Sequence, residues 1–216
     1  MPKKIWLLPF NWHPCKKNNK PVITEVCLYF EYKFYRGNRT TKVNAENFEA
    51  FTSPNYPELA ESGVHLKVNH TYLLKPNLSK PLKVHKVLDT NIALVKLFPG
   101  ISKAVMESIL NAKGLKAVVM ETFGVGNCST ERWFIDLLKN AISKGIYIIN
   151  IKQCISGTVN MGQYETSNQL KEIGVISGKD MTTETVICKL ILNVGNIKTS
   201  KKFKQQYEKA ICGELS

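Results

Sequence analysis

The hydrophobic and polar positions change texture twice along the chain. Residues 1–20 show neither helical nor alternating periodicity. From residue 22 to 30 apolar positions alternate and are rich in β-branched and aromatic types, which predicts a strand leading into Tyr32-Lys33-Phe34-Tyr35. Residues 45–51 predict a short helix or turn, and Ser53-Pro54-Asn55-Tyr56-Pro57 a rigid loop. Residues 63–68 and 71–74 read as a hairpin or two short strands. Residues 75–86, with two prolines and four lysines, have the composition of a linker.

Beyond the linker the pattern becomes regular. Residues 92–98 form a continuous apolar strand, and Pro99-Gly100 turns into a helix over 101–113. Its expected inner face is Ile101, Ala104, Val105, Ser108, Ile109 and Ala112, with Gly114 free to take the left-handed cap. A central strand begins at Leu115 and breaks into Gly124-Val125-Gly126-Asn127. A second helix over 129–144 turns Trp133, Phe134, Leu137, Leu138, Ala141 and Ile142 inward, and a third buried strand covers 146–151. Strand, helix, strand, helix, strand with both faces covered predicts a parallel sheet with right-handed crossovers. The remainder reads as mainly helical, clearest over 182–193 and 200–212. In such a sheet the turns at the carboxyl ends of the strands are where ligands bind, so the Gly124-to-Asn127 turn is the first candidate for chemistry.

Composition alters this picture in few places. The 216 residues contain 44% hydrophobic and 22% charged types, the balance of a folded domain rather than a disordered chain. The net charge of +13 invites a nucleic-acid reading, but the 30 basic residues are 27 lysines and three arginines, and the lysines are scattered. Bidentate phosphate and guanine recognition favours Arg, so the expectation is no nucleic-acid partner. The six cysteines lack a C-x-x-C pair and mostly sit in apolar segments, predicting reduced, buried thiols. The four histidines have no metal spacing, and neither metal nor cofactor is expected. No apolar run approaches a membrane span or a signal-peptide core, so no membrane partner and a cytoplasmic location are expected.

Four motifs then occur in a recognisable order: Arg36-Gly37-Asn38-Arg39-Thr40-Thr41-Lys42, the Gly124-to-Asn127 turn, a second turn from Gln153-Cys154 to Gly162, and Gly174 to Glu184. With these, the chain closely resembles the type I, cytoplasmic L-asparaginases from about Asn19 to Leu215. The resemblance implies an α/β protein: a remnant of an N-terminal α/β domain over 21–74, a linker over 75–86, and a small parallel-sheet, Rossmann-like C-terminal domain over 87–216. It implies a homo-oligomer, dimer or tetramer, that hydrolyses L-asparagine to L-aspartate and ammonia without a cofactor. In that family a threonine hydroxyl attacks the amide and water hydrolyses the acyl-enzyme. Lys42 matches the family's active-site lysine, and Asn127 matches a residue that reaches from a neighbouring subunit to the substrate's α-amino end. At an allosteric site found in some members, Thr41 and Cys154 match, but Glu121 stands in place of an arginine. A carboxylate cannot clamp a carboxylate as Arg does.

Residues 1–216 contain no Thr-Gly-Gly-Thr and no Thr-Asp-Thr, so the family's nucleophile and its partner threonine are absent from them. The expectation is a truncated chain without useful asparaginase activity by itself. The alternative is a non-catalytic module that dimerises or binds an amino acid. Residues 1–20 read as foreign to the family and as a frameshifted stretch. Reading the codons from each third position, Asn11-Trp12 is forced to Leu and Trp12-His13 to Ala. The shifted frame can spell a Lys-Glu-Asn-Leu, Thr-Ser helix like that preceding the matching strand in the family.

Overall fold

The computed structural model describes residues 6–7, 16–17, 20–47, 49–75, 79, 81, 83–162, 165–197 and 199–216. The expectations for residues 1–20 lie largely outside the described residues. The chain forms two compact units, one of residues 1–83 with 211–214 and the other of residues 84–210 with 215–216.

The first unit is built on antiparallel pairing. Strands β1 (Trp6–Leu7), β2 (Lys16–Lys17), β3 (Lys20–Pro21), β4 (Cys27–Phe30), β5 (Lys33–Arg36), β6 (Thr41–Lys42), β7 (Phe51–Thr52), β8 (Ala60–Ser62) and β9 (Leu66–Val68) follow in order. Five of them make one sheet in the order β1-β4-β5-β8-β9, while β2 pairs β3 and β6 pairs β7. A small core of Ile23, Cys27, Phe34, Leu59 and Ala60 lies beneath it. The expected single strand running through residue 35 is a hairpin: Phe30 pairs with Lys33, and Glu31 and Tyr32 between them both have positive φ, 47° and 68°. Two-residue hairpin turns demand such angles and normally advertise themselves with Asn-Gly or Asp-Gly. Here two ordinary side chains adopt them, so the turn left no sequence signal. Residues 71–74 are not a strand either; His70–Tyr72 is a 3-10 turn that follows the β8–β9 hairpin.

The second unit alternates strand and helix: β10 (Ile92–Lys96), α1 (Lys103–Leu110), β11 (Ala117–Thr122), α2 (Arg132–Ser143), β12 (Tyr147–Lys152), α3 (Glu165–Glu172), β13 (Ile176–Ser177), α4 (Thr183–Asn196) and α5 (Ser200–Tyr207). The four strands are parallel and lie in chain order. Crossovers of one hand between strands taken in order place their helices on one face. Val118, Met120 and Ile148 accordingly pack with Met106, Leu110, Phe134, Leu138 and Leu170 of the three crossover helices. The alternate positions Ala117, Val119, Ile149 and Ile151 pack with Val186, Leu190, Phe203 and Tyr207 of α4 and α5 on the other face. Sandwiching between helix layers is why β11 and β12 read as unbroken apolar runs.

Three expectations need correction. The inner face of α1 is Met106 and Leu110, with Ile101 and Ile109 partly packed; Ala104 and Ser108 are exposed and Val105 is 47% exposed. Its apolar positions run nearly around the helix, so periodicity alone could not choose the buried stripe. Strand β10 is at the sheet edge rather than buried, leaving Leu94 and Phe98 about half exposed. Of the described cysteines, Cys27 and Cys128 are buried but Cys154, Cys188 and Cys212 are exposed. Segment hydrophobicity does not say which side a residue faces.

Candidate active site

The carboxyl ends of the parallel strands carry a set of interlocked turns. Strand β11 ends in Phe123-Gly124-Val125-Gly126-Asn127, closed by reciprocal backbone hydrogen bonds between Phe123 and Asn127, both 2.8 Å. Gly124 and Gly126 have φ of 51° and 116°. Gly126 also runs so close to its neighbours that a Cβ there would lie 2.8 Å from Val159 Cγ1 and 3.2 Å from Asn150 Nδ2. Only glycine satisfies both the angle and the space.

A buried polar pair holds this turn from below. Asn150, fully buried at the middle of β12, donates from Nδ2 to the Gly126 carbonyl at 3.0 Å. Its Oδ1 accepts from the hydroxyl of buried Thr122, 2.6 Å away. The second turn begins at Gln153, whose Nε2 donates to the carbonyls of Leu97 and Glu121 at 2.6 and 2.9 Å and so ties it to the ends of β10 and β11. Further along, the Asn160 amide donates to the Val125 carbonyl at 3.2 Å, joining the first turn to the second. The start of α4 is capped by Thr182, and Thr183 beside it donates to the Glu121 carboxylate at 2.8 Å.

The predicted site residues fall into two groups. Asn127 and Cys154 stand on the neighbouring turns of the second unit, Asn127 partly buried and Cys154 exposed. Thr41 and Lys42 belong to the first unit, on β6 paired with β7, with Lys42 exposed. Thr122, Asn150 and Thr183 were missed as contributors. The one available signal was Asn150, a lone amide in the run Ile148-Ile149-Asn150-Ile151. A fully buried amide must find partners, and those partners had to lie near the end of the adjacent strand.

Two arginines beside Thr40 and Thr41 turn out to be structural. Arg36 is buried, pairs with the Glu25 carboxylate, and donates to the carbonyls of Gly213 and Tyr72 at 3.1 and 2.9 Å. Burial pushes its pKa down, but the Glu25 hydrogen bond and charge outweigh this and raise it, so the guanidinium is held charged. Arg39, 2% exposed, donates to the same Gly213 carbonyl at 2.9 Å. Cys128, just after the first turn, is an inert thiol: burial pushes its pKa up to about 11. Among the described residues no group of three or more His, Cys, Asp or Glu is placed to hold a metal, and no helix is long and apolar enough to cross a membrane.

A parallel sheet between helical layers, with glycine turns locked together at its carboxyl edge, defines an α/β ligand-binding architecture. Comparison with known proteins makes this specific. The profile of the glutaminase/asparaginase C-terminal domain matches residues 91–207, and that of the asparaginase N-terminal domain matches residues 15–73. The chain belongs to the asparaginase family, whose members are amidohydrolases. It is 39% identical over 194 residues to L-asparaginase 1 of Escherichia coli (strain K12), covering 90% of this chain and 57% of that protein. It is 39% identical over 169 residues to an L-asparaginase of Dirofilaria immitis, covering 78% of this chain and 28% of that protein. The crystal structure of L-asparaginase I from Vibrio cholerae superposes with a TM-score of 0.84 at 34% identity, over 90% of this chain and 58% of that one. The chain thus spans little more than half the length of the Escherichia coli and Vibrio cholerae proteins and just over a quarter of the Dirofilaria immitis one.

Proposed function

We propose that this chain carries the C-terminal, substrate-gripping part of an asparagine-hydrolysing enzyme, and that the polypeptide of residues 1–216 by itself does not turn over asparagine. The locked Gly-x-Gly-Asn turn carries this reading, since it presents Asn127 at the ligand-binding edge of the sheet on a support of buried hydrogen bonds. Asn127 takes the substrate's α-amino end from a neighbouring subunit, in a cytoplasmic homo-oligomer. Lys42 serves the threonine chemistry: a hydroxyl adds to the amide carbonyl, the C–N bond breaks, ammonia leaves, and water releases aspartate from the ester. The hydroxyl nucleophile is what residues 1–216 lack, and removing a nucleophile costs several orders of magnitude in rate.

Thr41 and Cys154 are the candidates for contacts to an asparagine effector. The Glu121 carboxylate, already engaged by Thr183, supplies negative charge where that effector's carboxylate would sit, which argues for a weakened response.

Ammonia release from L-asparagine tests the proposal. The 216-residue polypeptide should be silent, and adding a polypeptide bearing the family's Thr-Gly-Gly-Thr and Thr-Asp-Thr segment should restore hydrolysis. Turnover by the 216 residues alone would refute the assignment of the nucleophile. A second reading, a non-catalytic amino-acid-binding module, is favoured by Asn150 and Thr122, which support the turn, lying in the same unit as the turn. Calorimetric binding of asparagine or aspartate that persists without any restored turnover would select it.

A further inference from the structure

Two adjoining cavities of the second unit are lined by none of Thr41, Lys42, Asn127 or Cys154. One, of about 730 Å³, has Lys171 of α3, Lys179 after β13 and Lys204 of α5 on its wall, with Glu208 as its one acidic residue among those described. The other, of about 490 Å³, is walled by Ile142, Ile146, Tyr147 and Ile176. Lys204 and Glu208 border both, so a basic compartment opens beside an apolar one.

Each compartment has a chemical preference. Three ammonium groups against one carboxylate favour an anion, and isolated lysines without an arginine act as point charges suited to phosphate rather than as a carboxylate fork. Lys179 has φ of 51°, a conformation in which glycine or asparagine is the ordinary choice, and its Nζ donates to the Glu208 carbonyl at 3.3 Å. That hydrogen bond holds the Lys179 ammonium beside Glu208, which borders both cavities. On the apolar side, Tyr147 is fixed by stacking on Phe203 with ring centroids 3.6 Å apart, giving a rigid wall against which a flat ring can pack.

We propose that the joined cavities bind one phosphorylated ligand of the nucleotide class, with its phosphates among Lys171, Lys179 and Lys204 and its ring in the apolar compartment. Binding here would make the unit responsive to a ligand unrelated to the amide substrate.

Titration calorimetry on the 216-residue polypeptide with ADP, adenosine and inorganic pyrophosphate tests this directly. ADP should bind at least about tenfold more tightly than either fragment, because only ADP fills both compartments. The double substitution Lys171→Gln with Lys179→Gly should weaken ADP by about tenfold or more and leave adenosine unchanged. Lys171 is exposed and glycine suits the angle at 179, so this variant keeps its fold, which its thermal unfolding verifies. Absence of ADP binding at millimolar concentration, ADP no tighter than pyrophosphate, or ADP binding unaffected by the double substitution would each overturn the proposal.

Discussion

Gly126 concentrates the demands of the candidate site in one residue. Its φ of 116° and the 2.8 Å approach of a would-be Cβ to Val159 act together, so relaxing one does not relieve the other. Gly126→Ala should destabilise the second unit by about 1–3 kcal/mol, measured as a lower urea midpoint at unchanged slope. Cys128 makes a prediction in pH. Its folded pKa of about 11 lies above the ordinary thiol value of 9.0, so the folded state holds the proton more tightly. Its stabilising contribution is full below pH 9 and is lost as pH rises through about 11. Thiol titration with an aromatic disulfide at pH 8 should modify Cys154 quickly and Cys128 only on unfolding; equal rates would show that the Cys128 pocket is open. Glycine spacing was legible in the sequence at this scale. The Thr122–Asn150 support was not, because its partners are 28 residues apart and meet only when two strands pair.

Two ionic clasps hold elements of this protein at their ends. Asp89, just before β10, accepts from Lys116 at 2.7 Å and from Asn91 at 3.0 Å, joining the start of β10 to the start of β11. The Lys116 hydrogen bond, reinforced by those of Asn91, lowers the Asp89 pKa to about 2. Being depressed, that pKa implies stability present above about pH 4 and lost as pH falls through about 2. An NMR titration of the Asp89 carboxyl checks the value, and Asp89→Asn should remove the dependence. In the first unit, Arg36 at the end of β5 joins Glu25 to the carbonyls of Tyr72 and Gly213. The Arg36 and Glu25 side chains are only 3% and 4% exposed. Arg36→Met leaves the carboxylate buried and unpaired, which should cost that unit about 3–5 kcal/mol. Hydrogen exchange resolved by segment is the readout: faster exchange over 27–36 is expected, and unchanged protection would show that the pair contributes little. The sequence marked these elements well in the second unit and poorly in the first, where strands of two to four residues carry too few positions for any period to register.

At the scale of the whole molecule, the residues expected to share one function lie on two units, each with its own core. If the proposed function holds, then in the presence of a segment bearing the family's threonine motifs Lys42→Met should suppress asparagine hydrolysis by at least about a hundredfold, as loss of a proton-handling group does. Glu121→Ala, which frees Thr183 but touches no reacting group, should alter turnover only a few-fold. Comparable losses in the two variants, read as kcat from ammonia release, would mean that Lys42 has been matched to the wrong role.

The sequence by itself determined the alternation of strand and helix in the second unit, the parallel sheet, the glycine turn at its carboxyl edge and the family. Each of these is written in local periodicity or in motifs of a few consecutive residues. Only the tertiary structure decided which stripe of α1 faces the sheet, that β10 is an edge, and that Glu31 and Tyr32 turn a hairpin. It alone decided that Arg36 and Arg39 secure the Gly213 carbonyl, and that three lysines scattered over 34 positions, 171 to 204, line one cavity. Burial, partner choice and cavity shape depend on residues distant in the chain, and no local pattern can encode contacts that exist only after the strands have paired.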